Sequence, residues 1–287
     1  MSDVWLRVLT SVLFLGGCAA VFVFGSSYYQ LFRTNRSFLY KGALVVGFAA
    51  ATWLTMRSTL AAAYGLLAFA FLAAATASLL GAAAAHLQKP LGIRDDTLRG
   101  MAYAKGIEAV VVVGAIVVLA VVVRVPLRSL YMQAGRLGLG LAIGLGGFLV
   151  FAALAAAQAR TMKIAWATIR RQVPWILLFV LANGFMEELW LRAVFLGPLA
   201  MLVGPIVAIA LTALVFALAH VGVSYMSKEE RVRFLVILFP LGLAWGACLH
   251  VTGSILASSV FHAGADLMIV NGLISSAMEG SSDAASS

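Results

Sequence analysis

The chain has 287 residues, 63% of them hydrophobic and 11% charged, with a mean hydropathy of +1.04. Soluble domains carry about 25% charged residues, so this composition excludes a single soluble core. The net charge of +9 is not a nucleic-acid footprint, because the basic residues stand in short segments between apolar runs and not along one face.

Runs of about 20 apolar residues recur from end to end, without the alternation of an outer-membrane strand. They predict an all-α, polytopic transmembrane helical bundle of eight or nine spans, over 6–28, 38–56, 59–85, 102–123, 137–158, 174–196, 203–224, 234–252 and 254–274. In the first, Leu15-Gly16-Gly17-Cys18 loosely resembles a lipoprotein cleavage box. The run continues past the cysteine to Phe24, and Asp3 spoils a basic leader, so an uncleaved span is expected. Only Arg57 and Ser58 divide the second span from the third, and His86 ends the third at the headgroups. In the fourth, Lys105 and Glu108 (i,i+3) can pair with each other or reach the interface. The glycines from Gly138 to Gly147 predict close helix packing in the fifth. Cys18 and Cys248 lie in apolar runs with no CxxC spacing, as packing residues do. The Ser- and Ala-rich tail, 275–287, predicts disorder.

Orientation follows from the loops. Arg33, Arg36, Lys41, Lys89, Arg94, Arg99, Arg160, Lys163, Arg170, Arg171, Lys228, Arg231 and Arg233 fall on one side of these spans. Arg7, Arg57, Arg124, Arg128 and Arg136 fall on the other, which places the N-terminus outside and the C-terminus inside.

Three of the last four apolar segments carry ionisable groups that a membrane helix holds only at a cost of roughly 2.5–3.5 kcal/mol each. In the sixth, Glu188 and Arg192 are i,i+4 and can form an ion pair, while Glu187 projects about 100° away. The seventh carries Phe216 and His220, and the last carries His262 and Asp266, again i,i+4. Each alone has a plainer reading: a structural Glu–Arg pair, a packing histidine, an Asp that orients a His. Together they offer two chemistries. Glu187 and His220 can draw the proton from a water that attacks an amide carbonyl, with His262 and position 266 donating to the oxyanion. Alternatively His220, His262 and a carboxylate can hold a zinc ion, although no HExxH spacing is present. His250, beside the Thr252-Gly253-Ser254 break, reads as a capping or interfacial residue. A serine nucleophile at Ser254 or Ser258 would leave the Glu pair unexplained.

These motifs resemble those of the CPBP family of intramembrane proteases, which includes the type 2 CAAX prenyl endopeptidases and bacteriocin-processing or self-immunity proteins. The family pattern EExxxR, FxxxH and HxxxN stands here as Glu187 to Arg192, Phe216 to His220 and His262 to Asp266, and Thr252-Gly253-Ser254-Ile255 resembles the lead-in to the third motif. The resemblance covers about residues 175–270. It implies catalytic roles for Glu187, Glu188, Arg192, His220, His262 and Asp266, with Glu187 the catalytic glutamate, Arg192 holding the pair and His220 activating water. The resemblance leaves both a metalloprotease and a glutamic protease open; a metal-free glutamic enzyme without cofactor is the favoured expectation. Ala193 stands where Gly is common, and Asp266 where Asn is frequent; an ionised Asp266 would repel an oxyanion unless paired.

Residues 174–274 would then be the catalytic core, with the helices of 1–160 recruiting substrate. The expected partners are the lipid bilayer and a membrane-anchored protein or peptide, with cleavage as C-terminal anchor or peptide-signal processing in a bacterial inner membrane. His262 lies ~12 Å from the outer end of its span, which favours cleavage near the outer leaflet. The rivals are a non-catalytic immunity or scaffold protein and a proton-coupled transporter, whose internal repeats are not visible.

Overall fold

The computed structural model describes residues 3–24, 34–58, 62–88, 90–94, 97–221 and 228–286. Helices account for nearly all of them, with no strand among the described residues. In chain order these are α1 (Asp3–Cys18, continued as a π-helical turn over Ala19–Phe24), α2 (Thr34–Arg57), α3 (Ala62–Gln88), α4 (Leu98–Val123), α5 (Leu137–Thr161), α6 (Trp166–Glu187), α7 (Val194–Val203), α8 (Pro205–Ala219), α9 (Lys228–Thr252) and α10 (Ile255–Ser286).

Seven of the described helices are long and apolar enough to cross a membrane: α1 with its π turn, α2, α3, α4, α5, α9 and the first part of α10. The chain is therefore an integral membrane protein of the expected helical class. The sixth and seventh expected spans need correction. A second π-helical segment, Glu188–Ala193, joins α6 to α7 in one continuous run from Trp166 to Val203, longer than the 174–196 read from hydropathy. The seventh is a helix of only 15 residues, α8, which Pro205 opens at a position where its missing N–H costs nothing. It stops at Ala219, and residues 222–224 of that expected span lie outside the described ones. Residues 25–28 of the first span do so as well. The tail also departs from expectation, since α10 continues through Ser286. Alanine is the strongest helix former, so an Ala-containing tail can extend a helix that packing has already nucleated.

α10 is the hub: it packs on α5, α6 and α9, while α8 lies against α9 and α7 against α3. The α5–α10 seam shows why the glycines of the fifth span are there. A Cβ added at Gly144 would stand 2.8 Å from the Ala257 carbonyl oxygen, and one at Gly264 only 2.6 Å from the Phe148 Cα. Backbone thus meets backbone on both sides of the seam, as small-residue membrane packing requires. Gly264→Ala is expected to destabilise the protein by about 1–3 kcal/mol, because backbone cannot yield as a side chain does. Thermal unfolding in detergent measures this, and an unchanged midpoint would mean that the seam is looser than drawn.

The turn between α9 and α10 is held from outside. Gly253 takes φ +68, and the loop after α4 braces it on three bonds. Ile255 N–H donates to Tyr131 O (3.0 Å), Gln133 Nε2 to Gly253 O (3.1 Å) and Arg136 N–H to Thr252 O (2.7 Å). The start of α10, and with it the depth of His262, is fixed by these contacts.

Candidate active site

The site grows from the π turn. A π-helical turn closes i→i+5 bonds and is strained relative to α, so it persists where the surroundings hold it. Trp190 does so by donating its Nε1–H to the Ala74 carbonyl of α3 (3.0 Å), while Phe22 packs edge-on against its ring at 5.5 Å. Ala70, Ala73, Ala74 and Ala77 give α3 the fully buried, small-residue face that lets the turn approach.

Within that turn Arg192 Nη1 donates to Glu188 Oε1, and both side chains have no exposed surface. The same oxygen accepts from His262 Nδ1 at 3.0 Å. The other imidazole nitrogen, Nε2, stands 3.8 Å from Glu187 Oε2 and 3.5 Å from Asp266 Oδ1. The two neighbouring glutamates therefore do not diverge from the site, as 100° of rotation alone suggests, but flank opposite nitrogens of one histidine. His220 completes the group. Its Nδ1 can only donate to the Phe216 carbonyl (2.8 Å), so Nε2 is the atom turned to Glu187 Oε2, 3.5 Å away. That assignment follows from carbonyl chemistry, since a carbonyl oxygen only accepts.

The structure thus gathers Glu187, Glu188, Arg192, His220, His262 and Asp266 into one cluster from α6, the π turn, α8 and α10. Its two halves differ in access. Glu187 and His220 keep 12% and 20% of their side-chain surface, whereas His262 and Asp266 keep 3% each. Water or a substrate can reach the first pair; the second lies behind it.

Two residues outside those motifs also belong here. Trp245 of α9 lies flat on the His262 ring, with centroids 4.0 Å apart and planes inclined by 10°, and Phe216 meets the same ring edge-on at 5.5 Å. The Arg192 guanidinium faces both aromatics, 4.8 Å from Phe216 and 5.6 Å from Trp245. An apolar clamp of this kind excludes water from the Arg192–Glu188 pair and strengthens it. Asn183, one turn before Glu187, donates from Nδ2 to Asp266 Oδ2 at 3.0 Å. Beside it, a Cβ on Gly184 would lie 2.9 Å from the Ser259 carbonyl oxygen, so α6 reaches α10 at backbone distance.

Other sequence candidates stay outside. Lys105 and Glu108 form the expected pair at 2.8 Å, and His250 is exposed on α9. Ser258 is spent on the Ile255 carbonyl (3.2 Å) and Ser254 is buried at the α9–α10 turn. Cys18 and Cys248 are buried free thiols.

A zinc site would need at least three convergent donors at about 2.0–2.2 Å from one point. Among the described residues no group of three or more His, Cys, Asp or Glu is arranged to hold a metal ion, and Nδ1 of both histidines is committed to Phe216 or Glu188. Both Nε2 atoms stay turned to carboxylates, an arrangement that serves proton transfer as it stands.

No curated protein and no solved structure shows a significant match to the chain. Residues 169–268 match the family described as type II CAAX prenyl endopeptidase Rce1-like. That stretch, about a third of the chain, holds every residue of the cluster, from Asn183 to Asp266, and over it this membrane protein is similar to the CAAX-type intramembrane proteases.

Proposed function

We propose that the chain is a glutamate-dependent intramembrane endopeptidase acting on a membrane-anchored or membrane-inserted protein or peptide. One observation carries this reading: Glu187 Oε2 faces Nε2 of both histidines, at 3.5 and 3.8 Å, on the accessible side of the cluster. These separations exceed a direct hydrogen bond, so Oε2 and the facing Nε2 atoms stay open to a water lying beside them.

Glu187, assisted by His220 Nε2, takes a proton from that water as its oxygen adds to the scissile carbonyl carbon. Glu188 and Asp266 flank His262 and hold it as a donor. Its Nε2–H, at 3.5 Å from Asp266 and so not consumed by it, donates to the developing oxyanion. The proton on Glu187 then passes to the leaving amide nitrogen as the C–N bond breaks. Arg192 carries the counter-charge that makes a second buried carboxylate tolerable.

Segment 174–274 is the catalytic core in this reading, and the helices of 1–160 present the substrate. The loop charges favour an N-terminus outside a bacterial inner membrane, with anchor or peptide-signal processing as the reaction.

The test is cleavage of a transmembrane-peptide library by protein in nanodiscs, comparing wild type with His220→Gln, with and without chelator. Cleavage by wild type that chelator leaves intact and His220→Gln lowers about 10²-fold is expected. Loss with chelator and rescue by zinc would convert both histidines to ligands and overturn the glutamic mechanism.

A further inference from the structure

Asn183 lies outside the motifs that delimit the cluster, yet its side chain ties α6 to α10 at Asp266. It stands four residues before Glu187, hence on the same helical face, with 7% exposure. The carboxylate of Asp266 only accepts, so the amide nitrogen of Asn183 is the atom that meets it, at 3.0 Å.

We infer that Asn183 is a positioning residue for hydrolysis at this site: by anchoring one oxygen of Asp266 it keeps the other from capturing the His262 proton that the oxyanion requires. This rests on the proteolytic reading above. A carboxylate turns readily about its last torsion, for which no single staggered position is preferred. With Oδ2 tethered to Asn183, Oδ1 stands 3.5 Å from His262 Nε2, beyond the 2.7–3.2 Å of a direct bond. Without the tether, Asp266 and His262, one turn apart on α10, would close into an ion pair and bury the donor. The tether also answers the departure at 266, where a bare carboxylate would oppose an oxyanion; a donated hydrogen bond draws its charge away from the reacting atoms. The length of the side chain matters as well. Gly184 brings α6 to backbone contact with α10, so the short carboxamide reaches and a longer one would not fit.

A double-mutant cycle on the full chain in nanodiscs tests this, with a cleaved library peptide as substrate and with Glu187→Gln as control. Asn183→Leu is expected to lower kcat about 10–100-fold at nearly constant KM, and Asn183→Gln is expected not to restore it. Once Asp266→Ala has removed the group Asn183 acts upon, adding Asn183→Leu should cost less than about twofold more. Independent, multiplicative losses would overturn the proposal. So would a wild-type kcat for Asn183→Leu, or failure of Asn183→Leu to accumulate in either background, which marks a purely structural role. If wild type and Glu187→Gln behave alike, the proteolytic reading itself falls; if only Asn183→Leu matches wild type, this inference falls alone.

Discussion

Glu187→Gln is expected to remove cleavage, by about 10²–10⁴-fold, while the protein accumulates in the membrane at its normal level. Glutamine keeps the shape and a hydrogen-bonding oxygen beside His220, and removes only the base. Glu187 lies outside the fully buried Arg192–Glu188 pair and keeps 12% of its side-chain surface, so its charge contributes little to holding the helices together. The measurement is paired: initial cleavage rate, and amount plus thermal midpoint of the extracted protein. Full cleavage by the variant would take Glu187 out of the chemistry. Loss of the protein itself would favour a cluster kept for folding, as in an immunity or scaffold protein.

Arg192→Met should behave in the opposite way, destroying the protein before the reaction. It leaves Glu188 with no exposed surface and only His262 Nδ1 as its partner, and breaking a buried pair costs about 3–5 kcal/mol. Trp245 and Phe216, which face the guanidinium, cannot supply a charge in its place. Removing both charges, as Glu188→Leu with Arg192→Met, should restore most of the thermal midpoint. It should not restore cleavage, because His262 Nδ1 then has no acceptor. A double variant no more stable than Arg192→Met would show that the stranded carboxylate is not what destabilises the single variant.

Much of the site was legible because its chemistry is written in one-turn intervals. Glu188 with Arg192, Phe216 with His220 and His262 with Asp266 each share a helical face, and the structure brings all three faces together. Asn183 had the same signal, four residues before Glu187, but an uncharged amide in an apolar helix does not announce itself. Trp245 had none, since its contact with His262 is fixed by how α9 and α10 cross. The relation of Glu187 to Glu188 was hidden for a different reason. Both flank His262 within a helix that turns π-helical at Glu188, and a π turn leaves no mark in hydropathy. Span limits failed where helices were not limited by the membrane: at α6, which runs on into α7, and at α8, which ends early.

That early ending has a consequence for the lipid. Fifteen residues of α8 rise about 22 Å, against a hydrocarbon layer of ~30 Å, and His220 caps the short end. A bilayer meeting such a mismatch thins locally, at a modest cost per ångström. Headgroups and their water are thereby drawn toward the very end of the helix where Glu187 is accessible. The supply of the co-substrate is then set in part by bilayer thickness: longer-chain lipids should slow hydrolysis with no residue of the protein changed.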